Sequence, residues 1–162
     1  MSRLVLLLAF GIGIAILLAT SASLPPTVAT HFGGEGRANA FMTRIGYQVF
    51  YCALMTFMVV VSYGCFTWLP RRFPHLLNLP HRDHWLQPRQ REATLATLRA
   101  FGAAMAVLMV TLMVSIHLLV VAAHARTPPT LNEPAMFAIL GTFAALLVGI
   151  ALAMYLRFRA PG

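Results

Sequence analysis

The chain has 162 residues, 59% of them hydrophobic and 10% charged, whereas charged residues make up roughly 25% of a soluble domain. That composition excludes an ordinary water-soluble globule and describes a protein dissolved in lipid. All twelve basic residues are arginine against four acids, for a formal charge of +8, but the arginines lie between apolar runs, so they serve to orient the chain in a bilayer and imply no nucleic-acid partner.

A helix needs about 20 apolar residues to cross the hydrocarbon core while satisfying its own backbone hydrogen bonds. The first run, 4–23, meets that length. Its outline, Met-Ser-Arg before an apolar stretch that ends in Ser21, Ala22 and Ser23, also fits a secretory signal peptide. The run exceeds the roughly 7–15 residues of a signal core, so a retained helix is expected. Gly11, Ala15 and Ala19 recur every four residues along it.

The loop 24–44 follows, with Gly33, Gly34 and Gly36 arguing against helix across His31 and Glu35. It lacks the lysine and hydroxyl of a phosphate-binding loop. His31, Glu35 and Arg37 form a polar cluster able to ligate a metal or an anion. The favoured reading is simpler, a histidine hydrogen-bonded to backbone within a tight loop.

The second run, 45–69, contains Cys52 and Cys65. Thirteen residues of helix hold them roughly 20 Å apart, so they are read as small hydrophobes, not a redox pair. Leu69 and Pro70 are expected to close this span.

The loop 70–100 carries six arginines, and Pro88 is expected in the first turn of a long third helix. Arg82, Trp85, Arg89 and Arg91 are the candidate contacts with headgroups or a partner, and Trp68 and Trp85 are placed at the membrane boundary. His75, His81 and His84 stand among these arginines without a cysteine, which argues against zinc.

In the third run, 101–123, the ionisable His117 is expensive to place in lipid and is expected to face the bundle interior. His124 lies two turns on, about 10 Å away along the same face, too far to share one metal ion. Two readings stand side by side, a polar track through His117 and His124, and a single hydrogen bond from His117 to Ser115, Thr111 or a neighbouring hydroxyl. Metal binding is left open. The fourth run, 135–156, places Gly141, Ala145, Gly149 and Ala153 on one face, where a second backbone can approach, either inside the bundle or between subunits.

Nine arginines flank the ends assigned to one side and three, Arg37, Arg44 and Arg126, the other. The positive-inside rule then predicts an all-α four-helix membrane bundle with both termini and the loop 70–100 in the cytoplasm and the loop 24–44 outside.

Two passages carry a resemblance. Leu24, Pro25 and the residues through Val28, with His31, Phe32 and Gly36, resemble the small domain of unknown function at the N-terminal end of SdpI-type bacterial immunity proteins. Asn78, Leu79 and Pro80, with His84, Trp85, Leu86 and the stretch 88–91, are similar to the cytoplasmic loop of membrane proteins bearing that domain. The resemblance covers roughly residues 4–99 and implies a multi-pass protein of the bacterial inner membrane. The family's immunity member protects its host from a secreted peptide toxin and sequesters a repressor, but SdpI-type proteins are longer and have additional spans, so topology carries over better than activity.

No nucleophile, base and orienting acid assemble in the sequence, so a non-enzymatic function without a cofactor is expected. Sensing or binding through the outer loop and the arginine-rich loop leads. An accessory subunit of a larger membrane complex, or a homo-oligomer, is the second reading. A small transporter or metal-handling protein using His117 and His124 is the third.

Overall fold

A computed structural model describes residues 3–159. In chain order it forms α1 (Arg3–Ser21), β1 (Thr27–Phe32), a 3-10 turn (Gly34–Gly36), β2 (Ala38–Thr43), α2 (Arg44–Thr67) and α3 (Leu69–Arg72). A second 3-10 turn (Pro74–Leu76), α4 (Arg82–Trp85), α5 (Arg91–Ala123) and α6 (Glu133–Phe158) complete it. Four helical stretches, α1, α2 with its continuation to Arg72, α5 and α6, are long and apolar enough to span a bilayer. The last three contain the apolar runs 45–69, 101–123 and 135–156, and α1 ends at Ser21, two residues short of the run 4–23.

Local chemistry sets the helix ends. Thr43 caps α2 by accepting the Gly46 N–H at 3.1 Å, and Asn132 caps α6 by accepting the Ala135 N–H at 3.1 Å. Glu133 and Pro134 then occupy the first turn of α6, where an acid suits the helix dipole and a missing N–H is no loss. Pro70 does not terminate α2. That helix ends at Thr67, and Pro70 opens the short α3. Pro88 lies in the turn before the Gln90 cap, so α5, 33 residues long, starts later than expected.

The 24–44 segment departs from the all-α expectation. Thr27 pairs with Thr43 and Phe32 with Ala38 in an antiparallel hairpin, irregular around His31. Its tip is the 3-10 turn.

α5 is the axis of the bundle: α1, α2 and α6 each pack on it, and contact between α1 and α2 is slighter. Close approach occurs where glycine leaves no Cβ. A Cβ on Gly13 of α1 would lie 2.8 Å from Val110 Cγ1, and one on Gly102 of α5 would lie 2.5 Å from Phe66 Cβ. Those two glycines let α1 and α2 reach α5. The small-residue ridges of the sequence do not do this. Gly11, Ala15 and Ala19, and likewise Gly141, Ala145, Gly149 and Ala153, are exposed, and a Cβ on Gly141 or Gly149 would meet nothing within 4 Å. Of the two readings of these ridges, a close contact inside the bundle or one between subunits, the first is not met at either, and α6 leaves its ridge exposed.

Candidate functional site

The main apolar core joins Leu17 of α1, Val28 of β1, Tyr47, Tyr51 and Met55 of α2, and Val110, Met113 and Val120 of α5. His117 lies within this layer and is fully buried. Its Nε2 is 2.7 Å from the Thr20 hydroxyl and its Nδ1 is 2.8 Å from the Tyr47 hydroxyl. Thr20 gives its own proton to the Ile16 carbonyl at 2.7 Å, so it accepts from His117 Nε2–H, and Nδ1 accepts from Tyr47. This assigns a neutral imidazole with the proton on Nε2. Tyr51 lies nearby, its ring tilted at 5.7 Å from His117 and its hydroxyl donating to the Met113 carbonyl at 3.1 Å. One imidazole thus ties α5 to α1 and α2. The partners are two hydroxyls of neighbouring helices, Thr20 and Tyr47, and not Ser115 or Thr111; Thr111 donates to its own helix at Val107.

His124 caps α5 at the same end and holds the hairpin. Its Nδ1 donates to the Val120 carbonyl at 2.8 Å and its Nε2 accepts the Ala29 N–H at 3.0 Å. The two histidines share a face of α5 yet form no continuous track, because each ring has both nitrogens engaged by protein groups. A metal ion would have to displace those partners. Among the described residues no three His, Cys, Asp or Glu side chains converge as a metal site.

Two further ties fix the hairpin, and neither was anticipated from the sequence. Arg44 NH1 donates to the Leu24 carbonyl at 2.9 Å, and the Arg44 N–H to the Pro26 carbonyl at 2.9 Å. At the tip Gly36 adopts φ 68°, its carbonyl accepts the Leu131 N–H at 2.9 Å, and Arg37 bridges to Thr130. Val28 and Ala29 of β1 are both inaccessible, and Val28 joins the main core. His31 pairs with the Asn39 side-chain oxygen, a side-chain partner where backbone was expected. Glu35 and Arg37 form an exposed ion pair at 3.2 Å, apart from His31, so the three do not build one ligand shell. Phe41, across the ladder from Ala29, is 54% exposed.

At the opposite end of α5 the structure corrects the placement of Trp85. It is only 5% exposed, packs edge-on against Phe158, and donates Nε1–H to the Phe158 carbonyl at 3.1 Å. It is a core residue that fastens the loop to the end of α6, not an anchor at a lipid boundary. Trp68, 62% exposed, remains available for that role. Arg82 donates to the His75 carbonyl at 2.9 Å, Arg89 is exposed, and Arg91 lies 3.8 Å from Glu92. Cys52 and Cys65 are both free thiols.

Comparison with known proteins returns no match to a family model, to a curated protein or to a solved structure.

Proposed function

We propose that the chain is a non-enzymatic, multi-pass protein of the bacterial inner membrane, of SdpI-related type, which binds or senses through the hairpin on the outer face. Both termini and the arginine-rich loop lie in the cytoplasm in this reading. The observation that carries it is the mounting of the hairpin. His124, Arg44 and Gly36 fasten it at three points, while His31, the Glu35–Arg37 pair and Phe41 are exposed. A rigid element with polar groups and an exposed aromatic is suited to recognition, because little ordering entropy remains to be lost on binding. The nine-to-three arginine bias supports the orientation. The test is rescue of a deletion strain by the triple variant His31→Ala, Glu35→Ala, Arg37→Ala. Loss of rescue at unchanged membrane abundance is expected, and full rescue contradicts a role for the hairpin surface.

A second reading, an accessory subunit or homo-oligomer, draws on a different observation. α6 touches the bundle chiefly through α5 and leaves Gly141, Ala145, Gly149 and Ala153 open. A neighbouring membrane helix can pack closely on such a ridge. Extraction in mild detergent separates the two readings by the mass of the particle that carries the chain.

A further inference from the structure

The groove between α5 and α6 toward the arginine-rich end is about 490 Å³ in volume and is lined by Thr97, Ala100, Phe101, Ala104, Ala153 and Arg157. Its polarity is graded. Thr97 and Arg157 stand at the mouth, whereas Ala104 lies seven residues, about 10 Å, further along α5, and Ala153 one turn further along α6. The alanines leave the floor open and apolar.

Arg157 is held in place without losing its donors. Its guanidinium carbon sits 5.0 Å over the Trp85 ring and 5.6 Å over the Phe158 ring, and no hydrogen bond among the described residues uses its N–H groups. Among the described residues no carboxylate pairs with it. The two acids of this end, Asp83 and Glu92, already lie beside Arg82 and Arg91. Arg71, Arg72, Arg89, Arg99 and Arg159 add to the positive field. Thr97 donates its hydroxyl proton to the Ala93 carbonyl at 3.0 Å, so its oxygen can still accept.

We propose that this groove seats one anionic phospholipid with a hydroxylated headgroup, phosphatidylglycerol being the simplest example. The phosphate lies on the Arg157 guanidinium, a headgroup hydroxyl donates to Thr97, and an acyl chain runs over Ala100, Ala104 and Ala153. Charge complementarity selects an anionic over a zwitterionic lipid. The inference rests on the reading that this end meets the membrane surface.

The test uses the full chain in nanodiscs of mixed phosphatidylglycerol and phosphatidylcholine, with retained lipid identified by native mass spectrometry. Wild-type protein is expected to retain phosphatidylglycerol selectively. Arg157→Gln should lower that selectivity about fivefold, the share of one arginine near a membrane surface, while Arg157→Lys keeps most of it. Ala153→Leu fills the floor without altering charge and should also expel the lipid, so the proposal stays testable if Arg157→Gln loosens the packing around Trp85. Arg126→Gln, the same charge change at the hairpin end, should have no effect. Equal losses in Arg157→Gln and Arg126→Gln, retention in Ala153→Leu, or displacement of the lipid by inorganic phosphate would overturn the seat. A chain that enters the nanodisc without selectivity overturns only the seat, and one that fails to enter overturns the membrane reading with it.

Discussion

The Gly36→Ala protein is expected to release the tip of its hairpin from the 124–132 loop while the four long helices stay folded. Gly36 has φ 68°, a conformation that costs an L-residue with a side chain roughly 1–2 kcal/mol. A Cβ there would also lie 2.5 Å from the Leu131 carbonyl oxygen. That atom is backbone and cannot swing aside, so either the tip or the 124–132 loop must move. The Leu131 N–H bond to the Gly36 carbonyl, 2.9 Å long, is lost with it. Hydrogen exchange at Leu131 reads the effect, and an acceleration of about five- to thirtyfold corresponds to the conformational cost alone. Gly34→Ala is the control: a Cβ there meets nothing within 4 Å, so protection should be unchanged. Equal behaviour of the two variants would show that the tip is not docked as described.

His117→Ala is expected to be the most destabilising single change inside the bundle. Truncating a large buried side chain costs about 2–5 kcal/mol through lost contacts and the cavity left behind. The Tyr47 hydroxyl also loses its acceptor, whereas Thr20 keeps its bond to the Ile16 carbonyl. Thr20→Val, which removes only one interhelical hydrogen bond, should cost about 0.6–1.7 kcal/mol. Thermal unfolding in detergent should therefore show a much larger fall for His117→Ala. His117→Phe restores volume without hydrogen bonding and is expected to fall between them. If His117→Ala unfolds with the wild type, the imidazole does not tie α1 and α2 to α5.

Much of this architecture can be read from the sequence because one requirement, about 20 apolar residues per crossing, leaves few alternatives. The 101–123 and 135–156 runs are each contained in one long helix. The hairpin escaped that reading although a signal was present. Thr27–Phe32 and Ala38–Thr43 are two six-residue runs, the first rich in β-branched residues, around a glycine-rich turn, which is a hairpin pattern. His117 could be singled out as an interior polar residue, but its partners are 97 and 70 residues away, and local spacing cannot name them. The glycines show the same limit. Repetition marked Gly141 and Gly149 as a packing ridge, yet close approach falls on the unrepeated Gly13 and Gly102, because what a glycine meets depends on the neighbouring helix. Trp85 misled for a related reason. An indole near a predicted span end fits a lipid boundary, but the loop folds it onto Phe158 from the far end of the chain.

The proposed topology sets the hairpin outside at one end of a membrane bundle and the arginine-rich loop inside at the other. The direct measurement is labelling of single cysteines in intact cells with a membrane-impermeant maleimide, in a chain whose Cys52 and Cys65 are replaced by alanine. Gly34→Cys at the hairpin tip should label from outside, and Arg89→Cys in the loop should label only after the cells are permeabilised. The reverse pattern, or labelling of both sites in intact cells, would contradict the account.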